Sequence, residues 1–426
     1  MTNAPSERQA AIEASAGAVD APIQPKRRIG RSAVLGVVQL LIVLTVIYFF
    51  ALPWLGLSVT RVARSPRTLS GWEVDSYEAR KAPPAIPVER PRNVILFVAD
   101  GFGFGHLSAA RAVLHGVGQP AVWDRFPATG WHPPHPARGF LIDSAASATA
   151  LATGVPTNYG WLGIDAEGRP LESLLERGAA LGYRTGIVTD SYVWDATPAA
   201  FSAHLADRDD AATLLEQLAK TDLEILVGEL EDLGEGDVPE WGPSIEILES
   251  RFRVFGPDEE STAEFLRGMQ GDAPVAAIFV EDQVTDLSST PTLPQLVGVA
   301  LERLSSDERP FVLLLESEEP DSASHKADFE RMIRGAQVIE ATLGIVLDFA
   351  ERNSDTLVVF TSDHETGGLT LDIAGNNNAT LLWRWSTTGH TGSVVPVMAS
   401  GPGASAFVGA HPTWQLGERL LGMLHE

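Results

Sequence analysis

The 426-residue chain contains no cysteine. This absence excludes disulfides, thiolate nucleophiles and cysteine-ligated zinc, so any bound metal must be held by aspartate, glutamate and histidine. Basic residues are also scarce, because 31 Lys and Arg against 56 Asp and Glu give a formal net charge of −25. An acidic surface disfavours non-specific attraction to nucleic acid. We therefore expect no nucleic-acid partner.

Charged side chains are absent from residues 33–52. About twenty apolar residues can cross a bilayer core as a helix, so we predict a transmembrane anchor over 32–57. Residues 1–31 are predicted to be a disordered basic tail, and the KRRIGR cluster at its end keeps that tail cytoplasmic. The rest of the chain would then face the periplasm or the exterior. A cleaved signal peptide is the alternative, disfavoured by the long preceding segment and the lack of a clear cleavage site.

Beyond a proline-rich tether at 58–92, residues 93–426 read as one α/β domain. Apolar, β-branched runs predict six strands, at NVILFVAD from Asn93, Thr185–Thr189, Val275–Val280, Phe311–Leu315, Thr356–Thr361 and Val394–Ala399. Helical stretches between them are Leu171–Leu181, Ala211–Leu218, Pro294–Leu304 and Ala327–Arg352. This alternation predicts a mostly parallel sheet with helices on both faces. The acidic, motif-poor segment 219–290 is predicted to be a peripheral, variable elaboration.

Acidic residues follow three of the predicted strands, namely Asp100, Glu316 and Asp363. Ligands of parallel sheets gather at the carboxyl ends of the strands, so we expect these side chains near one another. Further candidates lie in the same or nearby segments: Asp321, His325, His364, His390, Asp195, Thr197 and Arg208. Imidazole with carboxylate suits Zn²⁺, whereas carboxylates with a hydroxyl suit Mg²⁺. The pattern indicates a metal site at this edge of the sheet.

Ser144 lies in the segment FLIDSAASATALATG, whose small residues suit a tight turn entering a helix. A serine at a helix N-terminus can be a simple N-cap. The same position, with its free backbone N–H groups and the positive end of the helix dipole, also favours an incoming anion. The local sequence favours the N-cap role for Ser144 and leaves a nucleophile as the alternative.

Six segments together resemble the alkaline phosphatase family, in that family's order. They are VADG, DSAASATALATG, DATPAAFSAH with a following Arg, E-x4-D-x3-H, SDHETGG and GHTG. The resemblance covers most of 93–426 and fails in 219–290. It implies the family's α/β fold and makes 93–426 the catalytic domain.

Carried over residue by residue, the resemblance implies two zinc ions and one magnesium ion. Positions that match zinc ligands are Asp321, His325 and His390 for one ion, and Asp363 and His364 for the other. Positions that match magnesium ligands are Thr197, Glu316 and Asp100, the last of which bridges to the second zinc. Ser144 matches the nucleophile that becomes phosphoserine, and Arg208 matches the guanidinium that grips phosphate.

The implied activity is metal-dependent hydrolysis of small phosphate monoesters, by an enzyme that commonly forms homodimers. One departure is Ser322, where family members commonly carry Lys or His. A related phosphodiesterase or phosphonate hydrolase is the first alternative. A non-catalytic surface binding protein is the second, which the intact set of predicted ligands and nucleophile argues against.

Overall fold

The computed structural model describes residues 89–425 except 231–241, 257, 269–270, 272, 286, 289 and 374–380. None of the helices in these ranges combines the length and apolarity needed to cross a bilayer. The predicted tail at 1–31, the anchor at 32–57 and nearly all of the tether at 58–92 lie outside the described residues.

A ten-stranded sheet forms the centre of the domain, in the order β14-β2-β13-β8-β1-β7-β3-β4-β6-β5. These strands are β1 (Asn93–Ala99), β2 (Ala128–His132), β3 (Arg184–Tyr192), β4 (Ile225–Leu230), β5 (Arg253–Phe255), β6 (Val275–Val280), β7 (Phe311–Ser317), β8 (Thr356–Thr361), β13 (Val395–Ser400) and β14 (Gly409–Ala410). Two small hairpins pair β9 (Glu365–Thr366) with β12 (His390–Thr391), and β10 (Thr370–Ile373) with β11 (Leu381–Arg384). All pairings in the sheet are parallel except those that β13 makes with β8 and β2.

Helices cover both faces of this sheet, as predicted. They are α1 (Phe104–Leu114), α2 (Ser144–Thr153), α3 (Leu174–Ala180), α4 (Ala196–Ala200), α5 (Ala211–Leu218), α6 (Gly242–Glu249), α7 (Glu259–Leu266), α8 (Leu293–Leu304), α9 (Glu319–His325), α10 (Phe329–Arg352) and α11 (Thr413–Met423). Successive residues of β1 point to opposite faces. Leu96 packs in a core with α2 and α11, while Phe97 packs in a second core with α8 and α10.

All six predicted strands are present, with bounds shifted by at most a few residues. The segment 219–290 differs from the prediction of a peripheral elaboration. Its described residues supply β4, β5 and β6 at one end of the sheet, and they bury Leu226 and Ile278 in the core. The run at Val275–Val280 was predicted as a strand, but the acidic stretches around β4 and β5 conceal their short apolar runs, because periodicity identifies a strand poorly when only a few residues are apolar.

A buried ion pair lies at the amino ends of the central strands. Arg184 is 2% exposed and donates through Nε to Glu224 Oε2 at 2.6 Å. We predict that Arg184→Ala lowers the free energy of unfolding by about 3 kcal/mol, because the buried Glu224 carboxylate then keeps only its longer contacts to Arg303 at 3.5 Å and Arg309 at 3.9 Å.

Denaturant unfolding of the purified protein measures this loss. Lys220→Ala is the control, since the Lys220–Glu216 pair is exposed and should contribute at most about 1 kcal/mol. Equal losses in the two variants would contradict the prediction.

Candidate active site and metal centre

Helix α2 begins at Ser144, and the residue that caps it is Asp143. The Asp143 carboxylate accepts a hydrogen bond from Ala146 N at 3.1 Å. The prediction that Ser144 is itself the cap is therefore wrong, because the preceding aspartate already satisfies the helix end. The hydroxyl of Ser144 is free to point elsewhere, and its Oγ lies 3.2 Å from His364 Nε2.

His325 and His390 face each other across one side of this cluster. Their Nδ1 atoms lie 2.7 Å and 2.8 Å from the carbonyl oxygens of Thr388 and Ile142, so each Nδ1 carries the proton and donates it. In the neutral imidazoles of this tautomer both Nε2 atoms carry lone pairs, and these two atoms lie only 3.2 Å apart. Asp321 Oδ2 is 3.1 Å from His325 Nε2. Two nitrogen lone pairs and a carboxylate that are directed at one point are suitable ligands for a cation.

A second group of ligand atoms surrounds His364 Nε2. Asp363 Oδ2 lies at 3.2 Å and Asp100 Oδ1 at 3.5 Å from this nitrogen. Asp321 Oδ1 is 4.0 Å from His364 Nδ1, so Asp321 contributes to both groups. Its orientation is held by the hydroxyl of Thr366, which donates to Oδ1.

Four buried oxygens of the predicted ligands find no hydrogen-bond partner among the described residues. They are Asp100 Oδ1, Thr197 Oγ1, Glu316 Oε1 and Asp363 Oδ2. Buried polar atoms are nearly always paired, so four such atoms in one site need an explanation. A divalent cation supplies the missing partner for every one of them, and the residues present therefore fit a metal centre.

The pKa values agree with a shortage of positive charge in this cluster. Burial, and then the negative charges of Asp363 and Asp321, raise the pKa of Asp100 well above its usual range. Burial likewise raises the pKa of Glu316 well above its usual range, and burial with the charge of Asp321 raises that of Asp363 to about 7. Carboxylates that disfavour their own ionised forms in this way favour a bound cation.

Arg208 lies at the edge of the cluster with 28% of its side chain exposed. Its NH2 donates to Asp195 Oδ1 at 3.1 Å and its NH1 to Asp143 Oδ2 at 3.4 Å. The longer of these contacts is weak, and a guanidinium has five donors. Arg208 is thus held in position while donors remain for a ligand.

Every predicted site residue lies in this one region of the carboxyl edge of the sheet, either in the two metal-ligand groups or beside them. Two tryptophans near this region, Trp383 and Trp385, pack against neighbouring rings. Trp383 stacks on Phe329 with ring centroids 4.1 Å apart, and Trp385 packs near His106.

The comparison with known proteins now bears on this geometry. A model of the alkaline phosphatase family matches residues 91–225 and 258–383, which is more than half of the chain. The chain belongs to the alkaline phosphatase family. The interruption at 226–257 falls inside the segment where the sequence resemblance fails.

Curated relatives include bacterial enzymes. Alkaline phosphatase 4 of Bacillus subtilis is 30% identical over 309 residues, which are 67% of this chain and 64% of the relative. The chain thus matches just under two thirds of that protein's length. Alkaline phosphatase of Escherichia coli K12 is 26% identical over 389 residues, covering 75% of this chain and 83% of the relative. Both relatives are named as alkaline phosphatases.

Solved structures agree on the fold. The alkaline phosphatase of the Antarctic bacterium TAB5 superposes with a TM-score of 0.69 at 24% identity, covering 79% of this chain and 98% of that one. A cold-active alkaline phosphatase from a psychrophilic Shewanella gives 0.68 at 25% identity, covering 78% and 100%. Members of this family are metal-dependent phosphatases, in accord with the ligand cluster.

Two orienting hydroxyls were not foreseen from the sequence. Thr366 donates to Asp321, and Thr189 Oγ1 donates to Glu316 Oε2 at 2.6 Å. Thr366 lies in the SDHETGG segment, so its neighbourhood was identifiable. Thr189 gave no signal, because its contact depends on the pairing of β3 with β7.

Proposed function

We propose that this chain is a phosphomonoester hydrolase of alkaline phosphatase type, with Ser144 as nucleophile on a site for two zinc ions and one magnesium ion. The observation that carries the proposal is the position of the Ser144 hydroxyl. It begins a helix whose end is capped by another residue, and it faces His364 amid carboxylate oxygens that lack partners. A hydroxyl with no structural task beside a metal-ligand cluster is suited to attack phosphorus.

The metal assignment follows the donor chemistry of each part of the site. Asp321 with His325 and His390 would hold one zinc, and Asp363 with His364 the other. The oxygen set of Asp100, Thr197 and Glu316 suits magnesium. A structure of a variant of the Antarctic TAB5 enzyme has magnesium bound in its M3 site, which supports a magnesium position here.

The bound ions, Arg208 and Ser144 would have separate roles in the reaction. When bound, the ions lower the pKa of a neighbouring hydroxyl and stabilise negative charge on the phosphoryl oxygens. Arg208 binds two of those oxygens through its forked donors and holds the group in line with Ser144. Ser144 Oγ forms a bond to phosphorus as the ester oxygen departs with its electron pair. Water then hydrolyses the phosphoserine, which releases phosphate and restores the hydroxyl.

The first test combines metal analysis with two substrates. We expect purified protein to hydrolyse p-nitrophenyl phosphate well and bis(p-nitrophenyl) phosphate poorly, since a dianion gains more from a positively charged site. Dialysis against a chelator should remove activity, and Zn²⁺ with Mg²⁺ should restore it. A preference for the bis-ester would favour the phosphodiesterase alternative, and full activity in metal-free protein would refute the metal mechanism.

Replacing Arg208 with alanine is predicted to weaken phosphate binding. Two charge-assisted hydrogen bonds are lost, so we expect kcat/KM to fall by about 10²-fold and the inhibition constant of inorganic phosphate to rise similarly. For Arg208→Lys both constants should lie between those of wild type and Arg208→Ala, because the ammonium keeps the positive charge but lacks the paired donors of the guanidinium.

Arg169→Ala is the control, because that side chain is 74% exposed and pairs with Asp165 outside the predicted ligand set. Steady-state kinetics with phosphate as inhibitor measures all three variants. An unchanged inhibition constant in Arg208→Ala would contradict the assigned role.

We also propose that residues 32–57 anchor the protein in a membrane and that the catalytic domain is periplasmic or extracellular. The uncharged run at 33–52 and the basic cluster before it support this topology. Retention in the membrane fraction after alkaline carbonate washing, together with protease accessibility of the domain from outside, would test it. Homodimer formation is a further proposal drawn from the family resemblance, and sedimentation equilibrium of the purified domain tests it.

A further inference from the structure

Strand β3 ends irregularly beside the turn that joins β7 to α9. Its ladder with β4 shifts register between Val188 and Tyr192. Irregularities of this kind redirect side chains at strand ends, often next to functional sites. Thr189 and Asp190 lie in this stretch, and both direct their side chains to the end of β7 and the following turn.

Asp190 contacts two consecutive residues of that turn. Its Oδ2 accepts from Ser317 Oγ at 2.7 Å, and its Oδ1 accepts from Glu318 N at 2.6 Å. These two residues lie between Glu316, a predicted magnesium ligand, and Asp321, a predicted zinc ligand. Asp190 therefore holds the stretch of backbone that connects two parts of the metal site.

Neighbouring contacts fix the same stretch from other directions. The carbonyl oxygen of Ser317 accepts from Asp100 N at 2.9 Å. Thr189 donates to Glu316 Oε2, and the other oxygen of this carboxylate, Oε1, is the one without a partner. The turn is thus aligned by β1 and β3. Asp190 of β3 accepts two hydrogen bonds from this turn.

The burial of Asp190 is costly for the fold. The side chain is 2% exposed, and no Lys or Arg of the described residues pairs with it. Burial raises its pKa to about 7, against the hydrogen bonds from Glu318 and Ser317. A buried carboxylate whose donors are all neutral costs more than an apolar side chain packed in the same place. Stability alone does not explain an acid at this strand end.

We propose that Asp190 is a positioning residue of the metal centre, which sets the relative placement of Glu316 and Asp321 by fixing Ser317 and Glu318 between them. The inference rests on the proposed metal-dependent function. The hydrogen bonds of Asp190 go to Ser317 and Glu318 and not to a predicted ligand side chain. We therefore expect Asp190 to affect metal affinity, and to affect turnover only through metal affinity.

The test measures binding of Mg²⁺ and Zn²⁺ to the full chain by equilibrium dialysis. Asp190→Ala removes both hydrogen bonds to the turn, and we expect Mg²⁺ to bind about 10–100-fold more weakly, as is usual for residues that orient ligands. Asp190→Asn should bind within about threefold of wild type, because the amide oxygen accepts from Glu318 N–H and the amide NH₂ donates to Ser317 Oγ.

Glu229→Ala is the matched control. Glu229 is also 2% exposed, is the next-to-last residue of the neighbouring strand β4, and accepts two backbone N–H bonds, from Asp282 at 2.8 Å and Val284 at 3.0 Å. Its partners form a loop that contains no predicted ligand. Glu229→Ala should therefore lower thermal stability as Asp190→Ala does, while its Mg²⁺ affinity stays at the wild-type value.

Ser317→Ala supplies a milder variant in case Asp190→Ala does not fold. It removes one of the two hydrogen bonds, and we expect a loss of Mg²⁺ affinity of about fivefold.

Three results would overturn the inference: wild-type metal affinity in the folded Asp190 and Ser317 alanine variants, equal losses in Asp190→Ala and Glu229→Ala, or an Asp190→Asn variant as weak as Asp190→Ala. Failure of wild type to bind either ion would instead refute the proposed metal centre itself.

Discussion

Replacing Ser144 with alanine is expected to lower the turnover of p-nitrophenyl phosphate by at least about 10³-fold, because the phosphoserine route then has no nucleophile. Metal content and the free energy of unfolding should stay near wild type, since Asp143 and not Ser144 caps helix α2. Stopped-time assays with metal analysis of the same preparations measure both. Turnover at the wild-type rate in Ser144→Ala would refute the mechanism.

The matched control is a serine that does cap a helix. Ser173 is the N-cap of α3, and its Oγ accepts from Glu176 N. Ser173→Ala should lower stability by about 1 kcal/mol with unchanged turnover. The two alanine variants thus separate the roles that the sequence could not separate, since one serine affects stability and the other affects chemistry.

Replacing Asp321 with alanine is expected to lower turnover by at least about 10²-fold. Even residues that only orient a metal ligand cost 10–100-fold when they are removed, and Asp321 contributes an atom to both ligand groups. We therefore expect the zinc content of Asp321→Ala, measured by atomic emission after dialysis, to fall below that of wild type.

Asp328→Asn is the control for that variant. Asp328 is seven residues away, where it caps α10 by accepting from Arg331 N at 2.9 Å. Asparagine is an equally good cap, so stability, zinc content and turnover should not change. A full zinc complement in Asp321→Ala would contradict the shared role of this carboxylate.

The parts of the fold that the sequence predicts well are those determined by local pattern. Strands such as β1 and β8 are continuous apolar runs, and α10 has a long 3.6-residue periodicity, so each is recognisable without its partners. Three predicted ligands, Asp100, Glu316 and Asp363, were identifiable for a related reason, whereas the roles of the others rest on the family resemblance. Acids that follow buried strands must gather at one edge of a parallel sheet.

Strand β2 shows what local pattern cannot provide. It reads ATGWH, and Gly130 with the prolines after His132 suggests a turn or loop. In the structure Gly130 has a packing role, because a Cβ there would lie 2.3 Å from the carbonyl oxygen of Gly409 in β14. The strand forms because β13, far along the chain, pairs with it. A pattern read over a few residues does not reveal a pairing partner so distant in sequence.

The prediction that Ser144 caps α2 was wrong for a different reason. Both Asp143 and Ser144 are good N-cap residues, and sequence preference alone does not choose between neighbours. The choice depends on tertiary contacts. Asp143 Oδ2 also accepts from Gly160 N at 3.0 Å and contacts Arg208, so the aspartate has partners outside the helix that the serine lacks.

The ligand cluster also has a consequence for a chain without cysteine. Asp100 and His390 are 290 residues apart in sequence, with the other predicted zinc and magnesium ligands between them. Ions held by these side chains would act as long-range cross-links, the role that disulfides play in many secreted proteins. Each ion at 100 times its dissociation constant adds about 2.7 kcal/mol to the folded state. The resistance of this protein to heat would then follow the supply of zinc and magnesium in its surroundings.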